Sequence, residues 1–184
     1  LVMMKSILND VMPELVLVHG DTTTAMATAL AAFYSKINIG HIEAGLRTYD
    51  IYSPYPEELN RQVIGKIAKF HFSPTEESKN NLINESVSEE NIFVTGNTVI
   101  DALLSVVTKV RNSEFSRIMS KKFDFFRDNK KLILVTCHRR ENFGQGFQEI
   151  CYALNEIARQ RVDINIVYPV HLNPNVQEPV QKIL

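Results

Sequence analysis

No apolar run in the 184-residue sequence approaches the roughly 18 residues a membrane-crossing helix requires. The opening Leu1-Val2-Met3-Met4-Lys5 is not followed by a long apolar stretch, so it does not read as a secretory signal. It does not begin with Met either, and reads as a cut chain. Cysteine is scarce. Cys137 and Cys151 make neither a disulfide framework nor a CxxC metal motif, and a reducing cytoplasm is the simplest compartment. Charge of one sign is also lacking. A net charge of -1 gives no footprint for nucleic acid or an anionic membrane, so anion binding has to come from a local cluster.

What is present is the balance of an ordinary globular protein, 45% apolar and 22% charged. Short apolar runs alternate with helical stretches. Strands are expected over Leu15–His19, Ile37–Glu43, Phe70–Phe72, Ile92–Thr95, Leu132–Thr136 and Ile164–Tyr168. Helices are expected over Thr23–Ser35, Glu57–Lys69, from Asn97 through Arg111, and over Ser116–Asn129. Phe147, Ile150, Cys151, Leu154, Ile157 and Ala158 follow helical spacing, and Asn173-Pro174 opens a last helix. Ser73-Pro74-Thr75-Glu76 reads as a helix start with Ser73 as N-cap, Pro74 at the first position and Glu76 closing a capping box.

Six strand–helix units argue for α/β architecture with parallel sheets. About 40 residues separate Ile92 from Leu132, and helices fill that gap. The organisation expected is therefore one domain over 1–97, a helical crossing over 98–131 and the start of a second domain over 132–184.

Ligands of open parallel sheets bind beyond the carboxyl ends of the strands. There the first half offers carboxylates and the second offers His and Arg. Asp21 is a candidate acid or base, or else a helix N-cap. Glu43 is the second candidate, or else the partner of Arg47. Glu57 and Glu58 open a helix, where acids also complement the dipole. Three carboxylates at neighbouring strand ends suit proton transfer, because crowding raises their pKa values. His138-Arg139-Arg140-Glu141 resembles a phosphate-binding turn or a solvated charged turn. His171 lies in a loop after the last strand, and His19 and His41 fall within apolar strands.

In order, His19-Gly20-Asp21-Thr22-Thr23-Thr24, His41-Ile42-Glu43-Ala44-Gly45-Leu46-Arg47-Thr48, Tyr55-Pro56-Glu57-Glu58-Leu59-Asn60-Arg61, Phe72-Ser73-Pro74-Thr75, Thr95-Gly96-Asn97-Thr98-Val99-Ile100-Asp101, Thr136-Cys137-His138-Arg139-Arg140-Glu141-Asn142 and Tyr168-Pro169-Val170-His171-Leu172-Asn173-Pro174-Asn175-Val176 resemble the non-hydrolysing UDP-N-acetylglucosamine 2-epimerases. The resemblance covers nearly the whole chain. It implies two Rossmann-like domains as in B-type glycosyltransferases, both incomplete here, and a homodimer acting on a UDP-sugar with no metal or nicotinamide. It implies elimination of UDP from UDP-N-acetylglucosamine (UDP-GlcNAc), then reprotonation and return of UDP to give UDP-N-acetylmannosamine (UDP-ManNAc). Its catalytic positions fall on Asp21, Glu43, Glu57 and His138. Arg139, His171 and Asn173 would lie on the substrate.

Cys137 stands where Gly or Ala is expected, and family chains run to about twice this length. An opening strand with a Gly-rich turn and a downstream phosphate turn are therefore expected to be missing, and the chain alone to be close to inactive. The other readings are a hydrolysing 2-epimerase that releases N-acetylmannosamine and UDP, a glycosyltransferase of the same fold, and a non-catalytic fragment.

Overall fold

A computed structural model describes residues 1–111, 114–123, 130–137 and 142–184. The chain divides into two units, Leu1–Val106 and Val107–Leu184.

The first unit carries a four-stranded parallel sheet: β1 (Leu15–His19), β2 (Asn38–Ile42), β3 (Phe70–Ser73) and β4 (Ile92–Val94), paired in that order. Every consecutive pair is parallel, with His41 opposite His71 across β2 and β3. Each crossover needs a helix: α2 (Thr23–Tyr34), α3 (Glu57–Ile67) and α4 (Glu76–Asn84) provide them. α2 is rich in alanine and lies close on the sheet, burying Ala25, Ala29, Ala31 and Ala32 with Val18, Ile39 and Ile64. A second small cluster joins Ala44, Leu82 and Ile92.

α1 (Val2–Val11) is not among the elements expected. It buries Leu8 against the first cluster, and Met4 packs there too. Its other apolar residues, Val2, Met3, Ile7 and Val11, are exposed, so no clear inward stripe marks it in the sequence.

The helix start at Ser73 is corrected. Ser73 remains in β3, pairs with Val94 and gives its carbonyl to the amide of Thr95 at 2.9 Å. α4 begins only at Glu76, so Ser73 lies three residues before its first helical position. The cap is Thr75, whose Oγ1 accepts from the amide of Ser78 at 3.1 Å.

The second unit pairs β5 (Lys131–Leu134) with β6 (Ile164–Val167), again in parallel. α7 (Gln145–Gln160) and α8 (Pro174–Ile183) pack together through Phe147, Cys151 and Val176. α5 (Thr98–Arg111), in which the division between the units falls, and α6 (Glu114–Lys122) follow β4 and precede β5 along the chain. The helix expected over 116–129 is described only as far as α6 and Phe123. The α/β class with parallel sheets is the one the sequence led us to expect.

Candidate active site

The chain leaves β1 through Gly20, whose φ of +70° suits glycine. The Gly20 amide donates to the carbonyl of Ile42, and its own carbonyl accepts from Nε2 of His41, both at 2.9 Å. The next residue, Asp21, gives its carbonyl to Nδ2 of Asn60 at 2.7 Å. The turn is thus held from β2 and from α3 at once. His41 is fully buried, and burial pushes its pKa down to about 4. It is a neutral structural histidine whose Nε2–H donates.

Asp21 does not cap α2. The cap is Thr22, whose Oγ1 accepts from the amide of Ala25 at 3.1 Å. The Asp21 carboxylate instead points at α3, with Oδ2 3.4 Å from Nε of Arg61. Burial pushes its pKa up, the Arg61 charge pulls it down, and Glu57 and Glu58 push it up again, for a net rise. Crowding by carboxylates therefore acts here, but after desolvation.

Glu43 directly follows β2, with φ +69°. Its Oε2 lies 3.9 Å from Nε2 of His19 and would sit only 3.2 Å from a Cβ placed on Gly20. The alternative partner, Arg47, is taken. Its guanidinium runs inward to Glu85, with Nε to Oε1 at 2.6 Å and Nη2 to Oε2 at 2.9 Å. Glu43 is left a third exposed on the turn beside Gly20. His19, placed by the sequence in an apolar strand, has a side chain 58% exposed. It is the last residue of β1, where the strand leaves the sheet.

Glu57 and Glu58, adjacent in α3, have different surroundings. Glu57 is half-buried at the helix start and raises the pKa of Asp21 through its charge. Glu58 is fully buried. It accepts from the amides of Thr48 and Tyr49 at 3.1 Å and from Nε2 of Gln62 at 2.8 Å. Burial alone would raise its pKa; these hydrogen bonds and Arg61 outweigh that and hold it below the usual range. Glu58 thus anchors the loop between β2 and α3. Asn60 and Arg61 were given no role from the sequence, although their spacing of three and four from Glu57 puts them on its side of the helix.

In the second unit, the backbone amide of Asn173 donates to Nδ1 of His171 at 3.1 Å, and the Asn173 side chain caps α8 through the amide of Asn175. Tyr168 donates its hydroxyl to the carbonyl of Cys137, tying the ends of β5 and β6. His138 and Arg139 lie outside the described residues.

Known proteins resemble this chain throughout. The model of the family described as UDP-N-acetylglucosamine 2-epimerase matches residues 1–184. The chain belongs to that family. A UDP-N-acetylglucosamine 2-epimerase of Campylobacter jejuni is 60% identical over 185 residues, 98% of this chain and 48% of the relative. One from Escherichia coli K12 is 59% identical over 182 residues, with the same coverage. The chain thus spans about half the length of the curated relatives it matches. Among solved structures, the Neisseria meningitidis UDP-GlcNAc 2-epimerase bound to UDP-GlcNAc superposes with a TM-score of 0.97. It is 50% identical and covers 100% of this chain, which in turn covers 49% of it. The Methanocaldococcus jannaschii enzyme in complex with UDP-GlcNAc and UDP gives 0.77 at 34% identity, covering 99% of this chain and 48% of its own length. The epimerase family also accounts for the parallel α/β layers of both units.

Proposed function

We propose that this chain carries the proton-transferring carboxylates of a UDP-GlcNAc 2-epimerase that interconverts UDP-GlcNAc and UDP-ManNAc. The observation behind the reading is that other residues perform the structural duties open to the candidate acids. Thr22 caps α2 in place of Asp21, and Glu85 binds Arg47 in place of Glu43. Two partly exposed carboxylates at adjacent strand ends are thereby free for chemistry, with Glu57 near Asp21.

The chemistry is an elimination. A carboxylate takes the C2 proton of the sugar, the C–H electron pair forms the C1=C2 bond, and the C1–O bond breaks with its electrons on the UDP diphosphate. Protonation of C2 from the opposite face and return of the UDP oxygen to C1 give the epimer. No electrons are gained or lost overall. Asp21, Glu43 and Glu57 are the acids and bases of this reading. His138 serves the leaving diphosphate, and Arg139, His171 and Asn173 bind the nucleotide. The same reading takes the division into 1–97, 98–131 and 132–184 from the strand spacing, a cytoplasmic location from the scarce cysteines and a homodimer from the family resemblance.

The test is to incubate the natural polypeptide that carries this sequence with UDP-GlcNAc in heavy water. Deuterium at C2 in both epimers is the expected result, and epimer free of solvent deuterium overturns the mechanism. Free N-acetylmannosamine with UDP would assign the hydrolysing reaction instead.

A further inference from the structure

Helix α3 supplies one candidate reacting carboxylate, Glu57, and also the groups that hold another. Asn60, buried, fixes the carbonyl of Asp21. Arg61, with a side chain 9% exposed, puts Nε 3.4 Å from Oδ2 of Asp21 and 3.3 Å from Oε2 of Glu58. Neither contact has hydrogen-bond geometry at Nε. The guanidinium therefore acts on both carboxylates by charge, which falls off slowly with distance in a water-poor site.

The two carboxylates do not depend on it equally. Glu58 already accepts three hydrogen bonds, from Thr48, Tyr49 and Gln62. Asp21 faces Glu57 and Glu58 on α3, with Glu43 and His19 on the neighbouring strand ends. Arg61 is the cation set against those acids. Removing Arg61 would leave Asp21 beside two acids of α3, whereas neutralising Glu58 would give Asp21 the full use of Arg61.

We propose that Arg61 is a positioning residue for Asp21: its charge, divided between Asp21 and the buried Glu58, sets the protonation state in which Asp21 works, while Asn60 fixes the backbone beneath it. The consequence for turnover rests on the epimerase reading; the electrostatic assignment does not. It gives the Asn60-Arg61 pair a task, because the helix that opens with Glu57 also tunes the carboxylate across from it.

The experiment is a carboxyl-carbon NMR titration of Asp21 in the substrate-free natural polypeptide, with the resonance assigned by Asp21→Asn. Because an adjacent opposite charge lowers a carboxyl pKa by about 1–3 units, Arg61→Gln should raise the Asp21 midpoint by about one unit or more. Glu58→Gln should lower it, and Arg61→Lys should stay within about half a unit of the parent. A merely structural role would move Arg61→Gln and Glu58→Gln in the same direction. That outcome, or an unmoved midpoint in Arg61→Gln, overturns the proposal. Should Arg61→Gln not fold, Glu58→Gln decides alone: a downward shift supports the proposal and any other result overturns it. In the epimerase assay, the acid limb of the kcat profile should follow the NMR midpoints while KM for UDP-GlcNAc stays within about threefold. A shifted midpoint without epimerase turnover would reject the function and still support the electrostatic assignment.

Discussion

The buried guanidinium of Arg47 binds Glu85, thirty-eight residues away, rather than Glu43, four residues away. That choice ties the loop after β2 to the C-terminal end of α4 and leaves the Glu43 carboxylate beside Gly20. The Arg47 side chain is wholly inaccessible and that of Glu85 is 17% exposed. Removing one partner would strand a charge in the interior.

We therefore expect Glu85→Ala to cost about 3–5 kcal/mol, read as a lower urea midpoint. Arg47 holds the Glu85 carboxyl below the usual range. The stability it confers is present above the unfolded value of 4.5 and is lost as pH falls through the depressed folded value. Acid titration of the urea midpoint should show a smaller loss in Glu85→Ala than in the parent chain, the remainder coming from groups such as Glu58 and His41.

Asp21→Asn, Glu43→Gln and Glu57→Gln should each lower kcat by about 10²- to 10⁴-fold in the natural polypeptide. None of the three caps a helix through its side chain or closes a bidentate ion pair, so stability should change by less than about 1 kcal/mol. Parallel kinetics and urea unfolding separate the two effects. Variants with parental turnover and lowered stability would return these acids to structural duty.

The α4 start offers a sharp comparison. Thr75→Ala should cost about 1 kcal/mol through loss of the cap. Ser73→Ala should be neutral or stabilising, because the buried Ser73 hydroxyl has no hydrogen-bond partner. The order reverses if Ser73 is the cap.

How much was legible can be judged from such positions. The strands were, because short apolar runs bounded by polar turns recur between helical stretches. The positions of Asp21, Glu43 and Glu57 just after strand ends or at a helix start were also legible, which made them candidates. The Ser73 register was not: Ser-Pro-Thr offers two capping hydroxyls, and only the ladder with β4 decides between them. Arg47 with Glu85 was not legible either, because nothing local signals a partner thirty-eight residues on. Nor was the difference between Glu57 and Glu58, which depends on the loop amides that reach only one of them.

Histidine supplies a prediction in the opposite half of the acid range. The pKa of His41 is lowered to about 4 by burial, and His71 opposite is lowered by the same cause. The unfolded chain binds protons more tightly at both, so stability should fall as pH drops from the unfolded value of 6.5 toward 4. Thermal midpoints across that range should decline, and His41→Gln should flatten part of the slope. A flat parental profile would show the histidines charged within the fold.

Gly45→Ala should cost more than about 3 kcal/mol, since it combines a strained φ with a backbone collision. Gly45 has φ +88°, and an added Cβ would sit 2.1 Å from the carbonyl oxygen of Ser78. At Gly96, with φ +81° and open space around it, alanine should cost about 1–2 kcal/mol. Urea denaturation of the two variants reads the difference.

Gly20 sits between these extremes. Its φ of +70° is one that asparagine also tolerates, so the backbone alone would admit a second residue type. The 3.2 Å clearance to the Glu43 carboxylate is what a Cβ would spend, displacing that group by a few tenths of an ångström. Position 20 is thus a graded adjustment screw between two strand ends: a substitution there resets the reach of the acid while the fold around it stays assembled.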